Sequence, residues 1–210
     1  MSSYLIPNVV SRDSRGERVV DLFTHLLRER IVYVGTPIDE GVANAIIGQL
    51  LHLEADEPDR PINLYVNSPG GEMNAALAIY DTMQFLRAPV GTTCVGEACG
   101  AAVALLAGGA PGQRAILRHS RVMLQQPKGG SRGAIQDLIV EADEILRLRR
   151  QLEEVLALHT GRAPEQVRLD SDRDAVLDAE AAKAYGLVDY VMQPRATAAN
   201  LVAQATSAST

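Results

Sequence analysis

Side chains that could bind a metal or attack a carbonyl are scarce: two cysteines and four histidines in 210 residues. Cys94, Cys99, His25, His52, His119 and His159 show no CxxC or HxxxH spacing, which argues against a zinc site and a disulfide framework. Positive charge is short too. Twenty Lys and Arg against 26 Asp and Glu leave a net charge of −6, so neither nucleic acid nor an anionic membrane is the expected partner. No apolar run reaches the roughly 18–20 residues that cross a bilayer. The opening MSSYLIPNVVSRDSRGERVV has no basic stretch leading into an apolar core, so no secretory signal is expected. Gly at 17 and Pro at 10 show no collagen period, and no heptad pattern runs the length. What is left, 47% hydrophobic and 22% charged, is the make-up of a folded globular chain of one ordinary domain or two small ones. No motif calls for a metal or a cofactor.

Short β-branched runs alternate with longer helical ones, the pattern of βα units. Strands are expected at Ile31–Gly35, Ile62–Asn67, Val90–Gly96, Arg114–Leu117, Val122–Gln125 and Leu187–Met192. A helix is expected over Asp39–Asp56, with Asp39 as its cap and Val42, Ile46, Leu50 and Leu53 near one face. Others are expected at Met73–Leu86, at about Gly100–Gly109, and at Asp178–Tyr185, where Gly186 is the stop. Ile135–His159 reads as one helix of about 25 residues, roughly 37 Å long. That length points to an element projecting toward a partner; the alternative, from the interleaved acids and bases of EILRLRRQLEEVLAL, is an ordinary surface helix with salt-bridge pairs. There is no internal repeat. No second domain boundary shows: residues 21–193 read as a single domain and the Ala/Thr/Ser-rich 194–210 as a disordered tail.

Four constellations could carry chemistry. Ser68-Pro69-Gly70-Gly71 ends a strand, and its glycines would let backbone N–H groups approach a carbonyl oxygen; the same residues make a common turn. Cys94 to Gly109 is a strand feeding a small-residue helix, where Cys99 is the one side chain able to attack; its ordinary alternative is a small buried hydrophobe. Met123–Gly130 leaves a strand into a Gly-rich segment, and Leu169–Asp174 is an acidic cluster that also reads as a solvated turn.

Taken in order, NSPGG, GEA-x-G, VML-x-QP-x-GG, ALHTG, DSDRD and AYGLVD resemble the proteolytic subunit of the Clp protease, the ClpP family. SRGER at Ser14–Arg18, LLRERI at Leu26–Ile31 and AIYDTMQFL at Ala78–Leu86 extend the resemblance across residues 4–192. It implies a crotonase-like α/β subunit, stacked seven-membered rings enclosing a chamber, an AAA+ unfoldase as partner, protein substrates and a cytoplasmic setting. It implies that the helix at about 135–160 is the handle joining two rings, and that residues 1–20 form an axial segment at the pore.

The family cleaves with a Ser-His-Asp triad. The resemblance sets the serine position on Gly100, the histidine position on Gln125 and the aspartate on Asp174, so only the last is retained. It sets the oxyanion-hole N–H groups on Gly71 and Ala101. Gly100 has no side chain to attack with, and Gln125 cannot take a proton near neutral pH. Other features of the family remain: Tyr65 and Phe85 match unfoldase-docking positions, although Asn63 stands where a tyrosine is usual. Arg173 matches a ring-to-ring contact, and Gly129, Gly130 and Gly133 match the strand leading into the handle. The expectation is a catalytically inactive ClpP-like subunit working beside an active paralogue. Its rivals are a peptidase using Cys99 and a homomeric non-catalytic scaffold.

Overall fold

The computed structural model describes residues 7–13, 16–126 and 135–193. Near the N-terminus β1 (Asn8–Asp13) and β2 (Gly16–Asp21) pair antiparallel, Asn8 opposite Asp21. This hairpin is a finding of the structure, since the sequence expectation puts no strand there. Asp21 then caps α1 (Leu22–Arg28), its carboxylate accepting from Thr24 N.

The body alternates strand and helix. β3 (Ile31–Val34), α2 (Glu40–Asp56), β4 (Ile62–Ser68), α3 (Met73–Phe85), β5 (Val90–Cys99), α4 (Ala101–Ala107) and β6 (Arg114–Leu117) follow one another. Then come β7 (Arg121–Leu124), α5 (Ile135–Thr160), α6 (Pro164–Asp170), β8 (Ala175–Leu177), α7 (Ala179–Tyr185) and β9 (Tyr190–Met192). The fold class is mixed α/β around a largely parallel sheet, as the sequence pattern predicts. α6 and β8 are too short to announce themselves by periodicity, and the sequence expectation has neither.

The sheet runs β3-β4-β5-β6-β9, all parallel, with β7 parallel to the far half of β5 and β8 antiparallel to β7. One face of β4, formed by Ile62, Leu64, Val66 and Ser68, is buried, while Asn63 and Tyr65 face outward with more exposure. All seven residues of α4 are buried, which explains its Ala content: backbone can lie close to its neighbours on every side. Ile79, Leu105, Leu106, Ile116, Leu156 and Leu187 complete the core, each burial contributing about 1.5–3 kcal/mol before entropy is counted.

Two local features position the site. β5 runs past Gly96 to Cys99, longer than the expected Val90–Gly96, because it changes partner in mid-course. Thr92–Cys94 pair with β6, and Glu97–Cys99 pair with β7. Gly96, at φ +133°, makes the fork possible: a Cβ there would lie 2.4 Å from Asn67 Oδ1. Ser120 Oγ accepts from Gly96 N at 2.8 Å and Asn67 Oδ1 accepts from Glu97 N at 3.2 Å, holding the bend. The second feature is α5. It buries only Leu152, Glu153, Leu156 and Ala157, and its first turns expose Ile135, Leu138, Ile139 and Val140. An ordinary surface helix turns such residues inward, so the projecting reading is the better one.

Candidate functional site

The far half of β5 delivers the chain to Gly100, which caps α4 with φ +50° and ψ −117°. A side chain is hard to hold in this conformation, yet space is not the obstacle. A Cβ built at position 100 would find Gln125 Oε1 at 3.7 Å and Gln125 Cβ at 3.9 Å, ordinary contacts. Gly100 N donates to Met123 O at 2.9 Å, which fixes the turn against β7.

Gln125 follows β7, and Asp174 precedes β8. The antiparallel pairing of Leu124 with Ala175 brings the two side by side, and Gln125 Nε2 donates to Asp174 Oδ2 at 3.1 Å. A carboxylate only accepts, so this bond settles the amide's orientation: its N–H₂ faces Asp174 and its carbonyl faces the space above Gly100. Positions 100, 125 and 174, far apart in sequence, thus meet. The arrangement offers an acceptor where a neutral imidazole would offer one, without an imidazole's basicity.

The Ser68–Gly71 loop closes the other side. A Cβ on Gly70 (φ +97°) would sit 2.6 Å from Cys99 O and 3.6 Å from Ala101 N, so only glycine lets this loop lie on the Gly100 turn. Ile38 N donates to Gly70 O and Glu72 N to Ile38 O, both at 2.8 Å, stitching the loop to the chain after β3. Ser68 Oγ donates to Thr36 O and accepts from Gly70 N. The loop is therefore packed backbone against backbone, more than a surface turn. Gly71 and Ala101 both border one groove of about 780 Å³, together with Gly100 and Gln125.

Cys99 does not join them. It is 4% exposed, and burial, reinforced by Glu97, pushes its thiol up to about 11. Burial pushes Cys94 up to about 12. Neither is a thiolate at neutral pH, and neither is among the residues lining the groove. No histidine lines it either. His159 Nε2 is hydrogen-bonded to the Tyr80 hydroxyl at 2.8 Å, and burial and then Arg114 lower its pKa. His119 and His52 are exposed, on the β6–β7 turn and on α2.

Tyr65 lies on the outer face of β4, opposite Tyr33 of β3 in register, while Phe85 ends α3 with 82% exposure. A separate apolar hollow forms between α1 and β3 from Leu22, Phe23, Leu26, Tyr33 and Gly35, residues that the sequence reading did not single out. The Phe23–Tyr33 ring contact at 6.5 Å joins its two walls. Arg173 is exposed beside Asp174. Gly129, Gly130, Gly133, Ser14, Arg15, residues 1–6 and the 194–210 tail lie outside the described residues.

Beneath the groove is a polar network that the sequence reading also missed. Gln126 Nε2 donates to Asp172 O at 3.0 Å and Oδ1 at 2.9 Å. Arg149 reaches Asp172 at 3.4 Å and pairs with Glu153 at 2.7 Å. The i,i+4 spacing of Arg149 and Glu153 is a visible signal, but only the fold brings Asp172 to it. Among the described residues no helix is long and apolar enough to cross a membrane.

The sequence model of the family described as Clp protease matches residues 14–195. ATP-dependent Clp protease proteolytic subunit 1 of Nocardia farcinica is 58% identical, the match covering 93% of this chain and 100% of the relative. ATP-dependent Clp protease proteolytic subunit 2 of Streptomyces avermitilis is 53% identical over 93% of this chain and 98% of its own length. Subunit 4 of Rhodococcus jostii is 53% identical over 91% and 99%. With the parallel sheet, the projecting α5 and the Gly100–Gln125–Asp174 meeting point already in place, these matches make the chain a member of the Clp protease family.

Proposed function

We propose that this chain is a non-catalytic subunit of a Clp protease complex, incorporated into rings beside an active paralogue. There it shapes assembly, unfoldase choice or substrate access in cytoplasmic protein degradation. The observation that carries this reading is the bare Cα of Gly100 facing the carbonyl of Gln125. Acyl transfer needs an atom to attack and a base to take its proton, and these two positions supply neither. Without those members a triad site retains only about 10³–10⁴-fold acceleration over water, from oxyanion donors and binding. The N–H groups of Gly71 and Ala101 are the candidate donors. As the first residue of α4, Ala101 has no intrahelical acceptor for its N–H.

The relatives support the mixed-ring part of the reading through their names, which number them as subunits 1, 2 and 4. The exposed apolar start of α5 supports a ring-to-ring role, and the outward Tyr65, Phe85 and Arg173 leave docking surfaces available to an AAA+ unfoldase and to a facing ring.

The test compares peptidase activity of the purified chain with that of a Gly100→Ser/Gln125→His variant. Activity only in the variant is the expected result. Hydrolysis by the unaltered chain, abolished by Cys99→Ala, would establish the peptidase alternative instead. Native mass spectrometry after co-expression with an active paralogue should show one mixed complex. A stable ring of this chain alone, with no shared complex, would replace the mixed ring by a homomeric scaffold.

A further inference from the structure

The projecting helix α5 is held at one end. Its buried residues, Leu152, Glu153, Leu156 and Ala157, lie in its last three turns, while its first turns stand exposed. What fastens the final turn therefore decides how firmly a helix of 26 residues is set on the body. Three elements close on it. From α3, the Tyr80 hydroxyl meets His159 Nε2 at 2.8 Å, with the two rings edge to face at 5.6 Å. From β6, Arg114 donates to His159 O at 3.1 Å. Past the end of α7, Gly186 comes so near that a Cβ on it would lie 3.1 Å from Thr160 O.

The Tyr80–His159 bond has one satisfactory direction. Tyr80 is 6% exposed, its ring lies against Gly108, and its hydroxyl has no other partner among the described residues. The hydroxyl must therefore donate, and a neutral Nε2 accepts. A proton on Nε2 reverses the bond and leaves the Tyr80 O–H buried without an acceptor. It also sets a second cation beside Arg114, whose guanidinium already engages Asp189. Burial, and then Arg114, hold the ring below the ordinary histidine value.

The other titratable groups around this helix end have different attachments. Asp81 follows Tyr80 on α3 and is exposed, and α4 carries no titratable side chain. Lys183 and Tyr185 lie in the last turn of α7. Arg162 stacks on the Tyr185 ring at 3.9 Å, and the Tyr185 hydroxyl donates to Asp170. None of them is hydrogen-bonded to the His159 ring.

We propose that the Tyr80–His159 contact is a proton-operated latch: with a neutral imidazole it clamps the base of α5 to α3, and protonation frees the last turns of the helix while the sheet stays folded. The device uses no residue of the candidate site, so it stands whether or not the chain cleaves peptides.

Hydrogen–deuterium exchange of the full-length chain tests it, read by mass spectrometry at pH 7.5 and 5.5 and corrected for the intrinsic pH dependence of amide exchange. Opening releases a histidine of ordinary pKa, about 6.5. Peptides spanning 152–161 should therefore lose roughly threefold to tenfold in protection over this step, while β4 and β5 keep theirs. His159→Gln keeps an acceptor for the hydroxyl but cannot be protonated, so these peptides should be equally protected at both pH values. Tyr80→Phe keeps the ring and removes the hydroxyl, so they should exchange faster already at pH 7.5. If that variant fails to fold, the parent and His159→Gln still decide. Equal protection of 152–161 at both pH values in the parent, a loss shared evenly by helix and sheet, or an undiminished step in folded His159→Gln would each overturn the proposal.

Discussion

Placing a side chain at position 100 is the sharpest perturbation the structure offers, because strain and space can be told apart there. Gly100 has φ +50° and ψ −117°, and the nearest atoms to a Cβ at this position are 3.7 and 3.9 Å away. Nothing needs to move, so the cost of Gly100→Ala is backbone strain, about 1–3 kcal/mol. The reduced freedom of the unfolded chain gives back about 0.4–1 kcal/mol. A net loss of about 0.5–2 kcal/mol corresponds to a melting point lower by roughly 1–8 °C in a chain of this size. Gly100→Ser suffers the same strain but places a hydroxyl next to Gln125 Oε1, recovering about 0.5–1.5 kcal/mol. The expected order of stability is therefore Gly, then Ser, then Ala, by differential scanning calorimetry at equal protomer concentration. An alanine variant melting at or above the parent would refute the argument that this turn is confined to the glycine region. The same data bear on the loss of the nucleophile position, since a glycine there relieves strain that a serine would impose.

Three other outcomes follow from burial and charge. Cys94 and Cys99, 0% and 4% exposed with raised thiol pKa values, should resist iodoacetamide at pH 7.5 in the folded chain and both react in denaturant, as read by mass spectrometry. Arg114→Met should be strongly destabilising, up to about 3–5 kcal/mol by urea titration. It takes the guanidinium from Asp189, leaving that carboxylate only backbone N–H donors, and removes the donor to His159 O and Gly186 O. Burial raises the Asp189 pKa, but the hydrogen bonds and charge of Arg114 outweigh it and the net shift is downward. That stability is present above the unfolded carboxyl pKa of about 3.9 and fades as pH falls through the lower folded value. His159 titrates in the opposite chemical sense but on the same side: burial and Arg114 lower its pKa, so its neutral form is the folded one. Its contribution holds above about pH 6.5 and is lost as pH drops below that toward the folded value. Melting points in the wild-type chain should fall between pH 7 and pH 5, and His159→Gln should flatten that slope.

Much of the fold was legible because its signals are local. β-branched runs, the Asp39 and Asp178 caps, and the stop at Gly186 each act over a few residues, and the structure has both Asp side chains accepting cap bonds. The predicted face of α2 is close to the observed one, with Ala43 buried alongside Ile46, Leu50 and Leu53 while Val42 is partly covered. The β1–β2 hairpin, α6 and β8 were not legible, being short elements stabilised by their neighbours rather than by periodicity. The expected strand stops at Gly96 because a glycine usually ends a strand, whereas here it turns β5 from β6 to β7.

For the site, residue identity alone determined that position 100 has no attacking atom and position 125 no base, and this holds in any fold. Motif order and spacing determined the family resemblance. Tertiary structure decided the rest. Only the pairing of β7 with β8 puts Gln125 against Asp174, and only that contact turns the amide so that its carbonyl faces Gly100. Burial of the end of β5, reinforced by Glu97, raises the Cys99 thiol, and Cys99 is not among the residues lining the groove. The physical reason is common to all of these: a side chain's chemistry is a property of the residue, but its orientation, pKa and neighbours are set by chain segments far away in sequence.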